Sequence, residues 1–192
     1  MKNYLLLALF WFASMSQAQS LNQLNSECVS GASNSCLLLA QRFFKGDNVK
    51  QDKPKAVELY AKSCSLNNDT ACSTLALIYD EGDGVAKDPF KSTELVIKSC
   101  EIGNLLACSY AGVLLSDGYG IRQNKFKAID YYQRGCDGGI PLGCLNLGVM
   151  YLNGDGVRQD KSKALQLIGL ACDLKLQKGC ESYARLKNQG IQ

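Results

Sequence analysis

Three observations in this chain predict an all-α, right-handed α/α solenoid. Ten cysteines stand at Cys28, Cys36, Cys64, Cys72, Cys100, Cys108, Cys136, Cys144, Cys172 and Cys180, with separations that alternate 8 and 28. The copies cut at that period of 36 residues align without a gap, about four of them full and the last truncated. Within each copy, apolar and small residues fall three, four and seven positions apart, the spacing of one helix face, and strand-like alternation is absent. A fixed period of this length marks one supersecondary unit stacked on copies of itself.

The elements follow in chain order. Lys2, the apolar run from Leu5 to Ala13 and the small-x-small triplet Ser16-Gln17-Ala18 read as a secretory signal peptide over residues 1–18. The run is too short for the roughly 20 apolar residues that cross a bilayer. Residues 19–192 are then one repeat domain. Leu21 to Cys28 supply a short starting helix. After the second cysteine of a copy, Cys72, Leu75, Ala76 and Tyr79, or Cys144, Leu147, Gly148 and Tyr151, line one face of a first helix. Its column Ala40, Ala76, Gly112, Gly148 and Ala184 is small in every copy, which suits a close helix approach.

The first helix stops where Gly46, Gly82, Gly118 and Gly154 recur, residues able to take positive φ. Asp52, Asp88, Asn124 and Asp160 can each cap the second helix, and Pro89 fits its first turn, where a missing N–H costs nothing. That helix carries Ala56, Leu59, Tyr60, Ser63 and Cys64, or Ala164, Leu167, Ile168, Ala171 and Cys172, at helical spacing. A polar closing helix over Cys180 to Asn188 ends the stack.

An even set of cysteines behind an export signal reads as disulfides, since oxidising compartments preserve them. The period pairs Cys28 with Cys36, Cys64 with Cys72, Cys100 with Cys108, Cys136 with Cys144 and Cys172 with Cys180, each bridge clamping the short turn between one copy and the next. A redox or metal-binding thiol would stand out by breaking the pairing, and none is left over.

The run LGVMYLNGDGVRQDKSKALQLIGLAC, residues 147–172, resembles the SEL-one-like repeat, a relative of the tetratricopeptide repeat. STLALIYDEGDGVAKDPFKSTELVIKSC and SYAGVLLSDGYGIRQNKFKAIDYYQRGC match it nearly as well, and the C-x7-C pair in every copy is similar to the Helicobacter cysteine-rich proteins. The resemblance implies a secreted or periplasmic solenoid, a peptide-binding or host-interaction role, and the penicillin binding and slow β-lactam hydrolysis described for that family.

The residues themselves supply no hydrolase motif. There is no histidine, so metallo-β-lactamase zinc sites, Ser-His-Asp triads and Cys-His dyads are excluded. No serine is followed three residues later by lysine, and no Lys-Thr-Gly or Lys-Ser-Gly occurs. No cofactor or metal site is expected. Asp83 and Asp155 lie between glycines, but Tyr119 replaces the acid in the third copy, so these turns read as helix stops rather than calcium loops. The lysine column Lys55, Lys91, Lys127 and Lys163 reads as a solvated helix face. A net charge of +3 implies neither a nucleic-acid patch nor an acidic tail.

Function is therefore expected on the concave face, which the first helices line. Counted from the second cysteine of a copy, offsets 0, 3, 4 and 7 face the core, so offsets 2, 5, 6 and 9 point away. Leu77, Val113 and Val149 at offset 5 read as packing between adjacent helices, and Ile78, Leu114 and Met150 at offset 6 as outward-facing. Arg42, Thr74, Glu81, Tyr110, Asp117, Asn146 and Asn153 are the candidate ligand contacts. The expected ligand is peptide-like: a cell-wall muropeptide, a β-lactam, or an envelope or host protein. Slow β-lactam hydrolysis is the alternative reading.

Overall fold

The computed structural model describes residues 20–192. The expected signal peptide lies outside the described residues. Ten helices follow one another: α1 (Leu21–Val29), α2 (Ser33–Lys45), α3 (Lys53–Ser65), α4 (Asp69–Glu81), α5 (Pro89–Ile102), α6 (Leu105–Asp117), α7 (Lys125–Asp137), α8 (Pro141–Asn153), α9 (Lys161–Asp173) and α10 (Gln177–Asn188). Each packs on its chain neighbours, so the helices stack as antiparallel pairs in a solenoid. Among the described residues there is no strand.

Local chemistry sets the boundaries. The Asp52, Asp88, Asn124 and Asp160 side chains each accept the backbone N–H three residues on, capping α3, α5, α7 and α9. Asn68 and Asn104 cap α4 and α6 in the same way, accepting from Ala71 and Ala107. Helices α2, α4, α6 and α8 end on glycines with φ of 75–77°, whose N–H bonds back to the carbonyl four residues earlier.

All five bridges form between the paired neighbours, with Cα–Cα separations of 4.4–4.7 Å. Each joins the end of one helix to the first turn of the next, so the bridge staples the junction between copies. The sulfurs are core material as well: Cys64 and Cys72 share a cluster with Ala40, Ala56, Tyr60 and Leu75.

The small column is small for a more specific reason than helix approach. A Cβ on Gly112 would come within 2.5 Å of the Tyr132 ring, and one on Gly148 within 2.6 Å of Ile168. The large residue of the following helix fills the space that each copy leaves open. Ala184, on the last described helix, is exposed.

Two expectations change. Ile78, Leu114 and Met150 are buried, at 4%, 5% and 5% exposure, rather than turned outward. A stacked helix buries a second flank against the preceding pair: Leu114 shares a core with Ala76 and Val96, and Met150 with Leu115 and Tyr132. The lysine column is also more than a solvated face. Lys55 stands 4.1 Å over the Phe43 ring, Lys91 5.2 Å over Tyr79 and Lys163 4.1 Å over Tyr151. Lys127 lacks such a ring because the equivalent position is Leu115.

Candidate functional site

At about 100° per residue, offsets −2, +2, +5 and +9 from the second cysteine fall within one arc of about 60°, opposite the core. Exposed bulky apolar residues occupy that arc on four successive first helices: Leu38 on α2, Leu77 on α4, Leu106 and Tyr110 on α6, Leu142 and Val149 on α8. Leu77 is 56% exposed and Leu106 63% exposed. Leu77 and Val149 therefore do not close the contact between neighbouring helices; they present a face to solvent.

In the middle of this stripe lies a cleft of about 340 Å³. Leu77 and Asp80 of α4 form one wall, Leu106 and Tyr110 of α6 the other, Val96 of α5 the floor, and Leu142 of α8 reaches its edge. Residues from three successive first helices border this one cavity. The lining is mostly apolar, and Asp80 and Tyr110 are its ionisable groups.

Of the polar candidates, Tyr110 lines the cleft. Thr74 spends its hydroxyl on the Thr70 carbonyl at 2.8 Å. Glu81 and Asp117 are exposed at the ends of α4 and α6 and share the apolar arc. Asn153 is exposed at the end of α8 and donates to Asp155 at 3.5 Å, while Asn146 is half-buried on α8. Arg42, half-buried on α2, is not part of the cleft lining. Leu106, Leu142 and Asp80 were not among the candidates. The first two precede the second cysteine of their copies, so offsets counted forward from that cysteine do not reach them.

The junctions between copies differ around the cleft. Lys53 Nζ meets Asp83 at 2.5 Å and Lys125 Nζ meets Asp155 at 2.6 Å, each pair linking the start of a second helix to the turn of the following copy. At the intervening junction the equivalent residues are Pro89 and Tyr119. Gly120 there runs so close that a Cβ would lie 2.2 Å from the Pro89 carbonyl oxygen. Thr93 donates its hydroxyl to the Tyr119 carbonyl at 2.8 Å. The Tyr119 hydroxyl, released from any pairing with a lysine, donates to Asp80 at the cleft wall. That hydrogen bond holds the Tyr119 phenol above its ordinary range, with burial and the charges of Asp80 and Tyr110 adding to it.

A helical-pair solenoid stapled by a disulfide at every junction, with an apolar cleft on one face, defines the class of extracytoplasmic helical-repeat scaffolds. The chain belongs to the Sel1 repeat family, whose profile matches residues 33–68, 70–104, 105–140 and 141–176. No curated protein matches the chain.

Among solved structures, a protective antigen of uropathogenic Escherichia coli displaying an SLR fold is 25% identical over 89% of this chain, with a TM-score of 0.79. The match spans 37% of that antigen's length. Helicobacter pylori cysteine rich protein B is 29% identical over 71% of this chain and 98% of its own, with a TM-score of 0.52. A Sel1 repeat protein from Oxalobacter formigenes shares the fold at 19% identity, over 88% of this chain and 76% of its own, with a TM-score of 0.70.

Proposed function

We propose that this protein, exported to the periplasm or beyond by its first 18 residues, holds a peptide-like ligand on its concave face. The observation that carries the reading is the apolar arc: six bulky side chains left exposed in register on four helices, with a cleft at the centre. A contiguous exposed apolar surface on a stapled, rigid scaffold marks an interaction site. One apolar ligand side chain seats between Leu77, Leu106, Tyr110 and Leu142. Asp80 lines that seat, Glu81 and Asp117 are exposed further along the same arc, and no lysine or arginine lines it, so a cation beside the apolar anchor fits the rim.

Cell-wall muropeptides, β-lactams that mimic them, and segments of envelope or host proteins are the ligand classes. Binding is favoured over turnover by the lining itself. Its Ser73 hydroxyl is engaged by Ser99 at 2.7 Å and by the Asp69 carbonyl at 3.1 Å, and no lysine or histidine among the lining residues could act as its base.

Selection of peptides from a random display library, followed by calorimetry on the disulfide-intact protein, tests the reading. Selected peptides carry a bulky apolar residue next to Lys or Arg and bind Leu106→Asp at least tenfold more weakly, since seating such a side chain is worth about 1.5–3 kcal/mol. Equal affinity for Leu106→Asp, or peptides without an apolar anchor, sinks it. A parallel nitrocefin assay with Tyr110→Ser reads the hydrolytic alternative: turnover abolished by that change would move the protein to the enzymes.

A further inference from the structure

The turns of the four full copies serve as internal controls for one another. Those of the first, second and fourth copies place Asp47, Asp83 and Asp155 between the helix stop and the next apolar residue, and Asp52, Asp88 and Asp160 at the cap of the following helix. In the third copy both acids are gone, replaced by Tyr119 and Asn124. Residues 118–127 hold Arg122, Lys125 and Lys127 and no carboxylate, a charge equal to the +3 of the whole chain. The overall balance hides this segregation.

Lys125 is committed to Asp155, whereas Arg122, Lys127 and, from the next turn, Arg158 enter no ion pair among the described residues. Arg122 and Arg158 flank Phe126 across an open depression. Phe126 is 75% exposed, the most exposed of the large apolar side chains described, and Phe90, one period earlier on the same edge, is 51% exposed. Neither ring belongs to a core cluster.

We propose that this edge docks on an anionic lipid surface. Two exposed phenylalanines, one period apart, lie on the same edge of the stack, and the depression beside Phe126 is open and lined by the free cations Arg122 and Arg158. Rings of this kind enter the headgroup boundary while adjacent cations gather anionic headgroups. The helices themselves stay outside, and among the described residues none is long and apolar enough to cross a membrane. The proposal is independent of the cleft, which opens on the first helices rather than on these turns.

Co-sedimentation of the disulfide-intact protein with vesicles tests it. The protein pellets with vesicles of phosphatidylcholine and phosphatidylglycerol in equal parts, stays in solution with phosphatidylcholine alone, and is released by salt. Arg122→Gln and Arg158→Gln each weaken partitioning roughly fivefold, the usual weight of one cation at such a surface. Phe126→Ser, at a solvent-exposed site, weakens it at least as much. Equal partitioning onto both vesicle types, or unchanged partitioning of Phe126→Ser and of the double arginine variant, overturns the proposal. So does binding to soluble polyglutamate with the vesicles ignored, which would make the edge a site for acidic polypeptides.

Discussion

The Tyr119 hydroxyl donates to the carboxylate of Asp80, joining the turn of the third copy to the first helix of the second. Neighbouring junctions use a lysine–aspartate pair instead, Lys53 with Asp83 and Lys125 with Asp155. Both members of that pair change together at the central junction, to Pro89 and Tyr119, and the change places a phenol against the one carboxylate of the cleft wall. The departure from the repeat thus coincides with the cavity.

Reversing the exchange is the first test. In Pro89→Lys/Tyr119→Asp the standard junction pair is rebuilt, and Asp80 loses its donor. The two changes should couple favourably by about 0.2–1 kcal/mol in a double-mutant cycle of urea unfolding, the scale of a partly exposed ion pair. Because the proposed ligand brings a cation to Asp80, freeing that carboxylate should tighten its binding to the double variant. Additive single effects would show that positions 89 and 119 are not partners.

Ser109 gives a second test. It is fully buried, and its hydroxyl has no partner. The equivalent Ser73 bonds to Ser99, but the third copy has Gly135 where the second has Ser99. A Cβ at Gly135 would approach the Ser109 oxygen to 2.1 Å, so the space is already taken and a serine cannot be restored there. Ser109→Ala removes an unsatisfied buried group and improves helix propensity, and should stabilise the fold by about 1 kcal/mol, or roughly 2–4 °C in Tm. A loss of stability in calorimetry would mean that the hydroxyl has a partner after all.

The order of reduction is a third. Cys28, Cys36, Cys64, Cys72, Cys100, Cys108, Cys136 and Cys144 are at most 4% exposed, whereas Cys172 and Cys180 are half-buried at the last described helix, which packs chiefly on α9. Exchange requires access of the attacking thiolate to sulfur. Under limiting reductant at native pH, mass mapping of alkylated peptides should find Cys172 and Cys180 labelled first, with the other bridges following only as the stack opens. Simultaneous labelling of all ten would place the barrier in global unfolding instead.

How much of this was legible in the chain depends on how far each feature repeats. The helices, caps and bridges are written once per copy, so Gly82 or Asp88 can be read against its counterparts and its role follows. The cleft is not written in any copy. Leu77, Leu106 and Leu142 belong to three copies and occupy two different offsets, and only the stacking of those copies brings them to one cavity. The burial of Ile78, Leu114 and Met150 escapes the offset pattern for a related reason: a single helix shows one core face, while a stacked helix has a second flank that its own periodicity does not mark. Tyr119 stood out as a break in the pattern, but its partner Asp80 lies 39 residues away and carries no motif.

Alkaline titration completes the set. The phenols of Tyr131 and Tyr132 are both pushed from 10.0 to about 12, chiefly by burial. Tyr131 also donates to Glu101 at 2.9 Å, and the negative charges of Glu101 and, for Tyr132, Asp117 oppose ionisation further. A folded-state value above the unfolded one means that the fold favours the neutral phenol, so the stabilisation is complete below pH 10 and is lost as pH rises through 12. Stability should therefore fall across that window, and after a jump into it the phenolate absorbance of buried Tyr132 should rise at the rate of unfolding rather than at once. Tyr132→Phe keeps the ring that fills the space opposite Gly112 and removes the proton, so it should move the alkaline unfolding midpoint upward. An unchanged midpoint would mean that burial of the Tyr132 hydroxyl does not couple its ionisation to the fold.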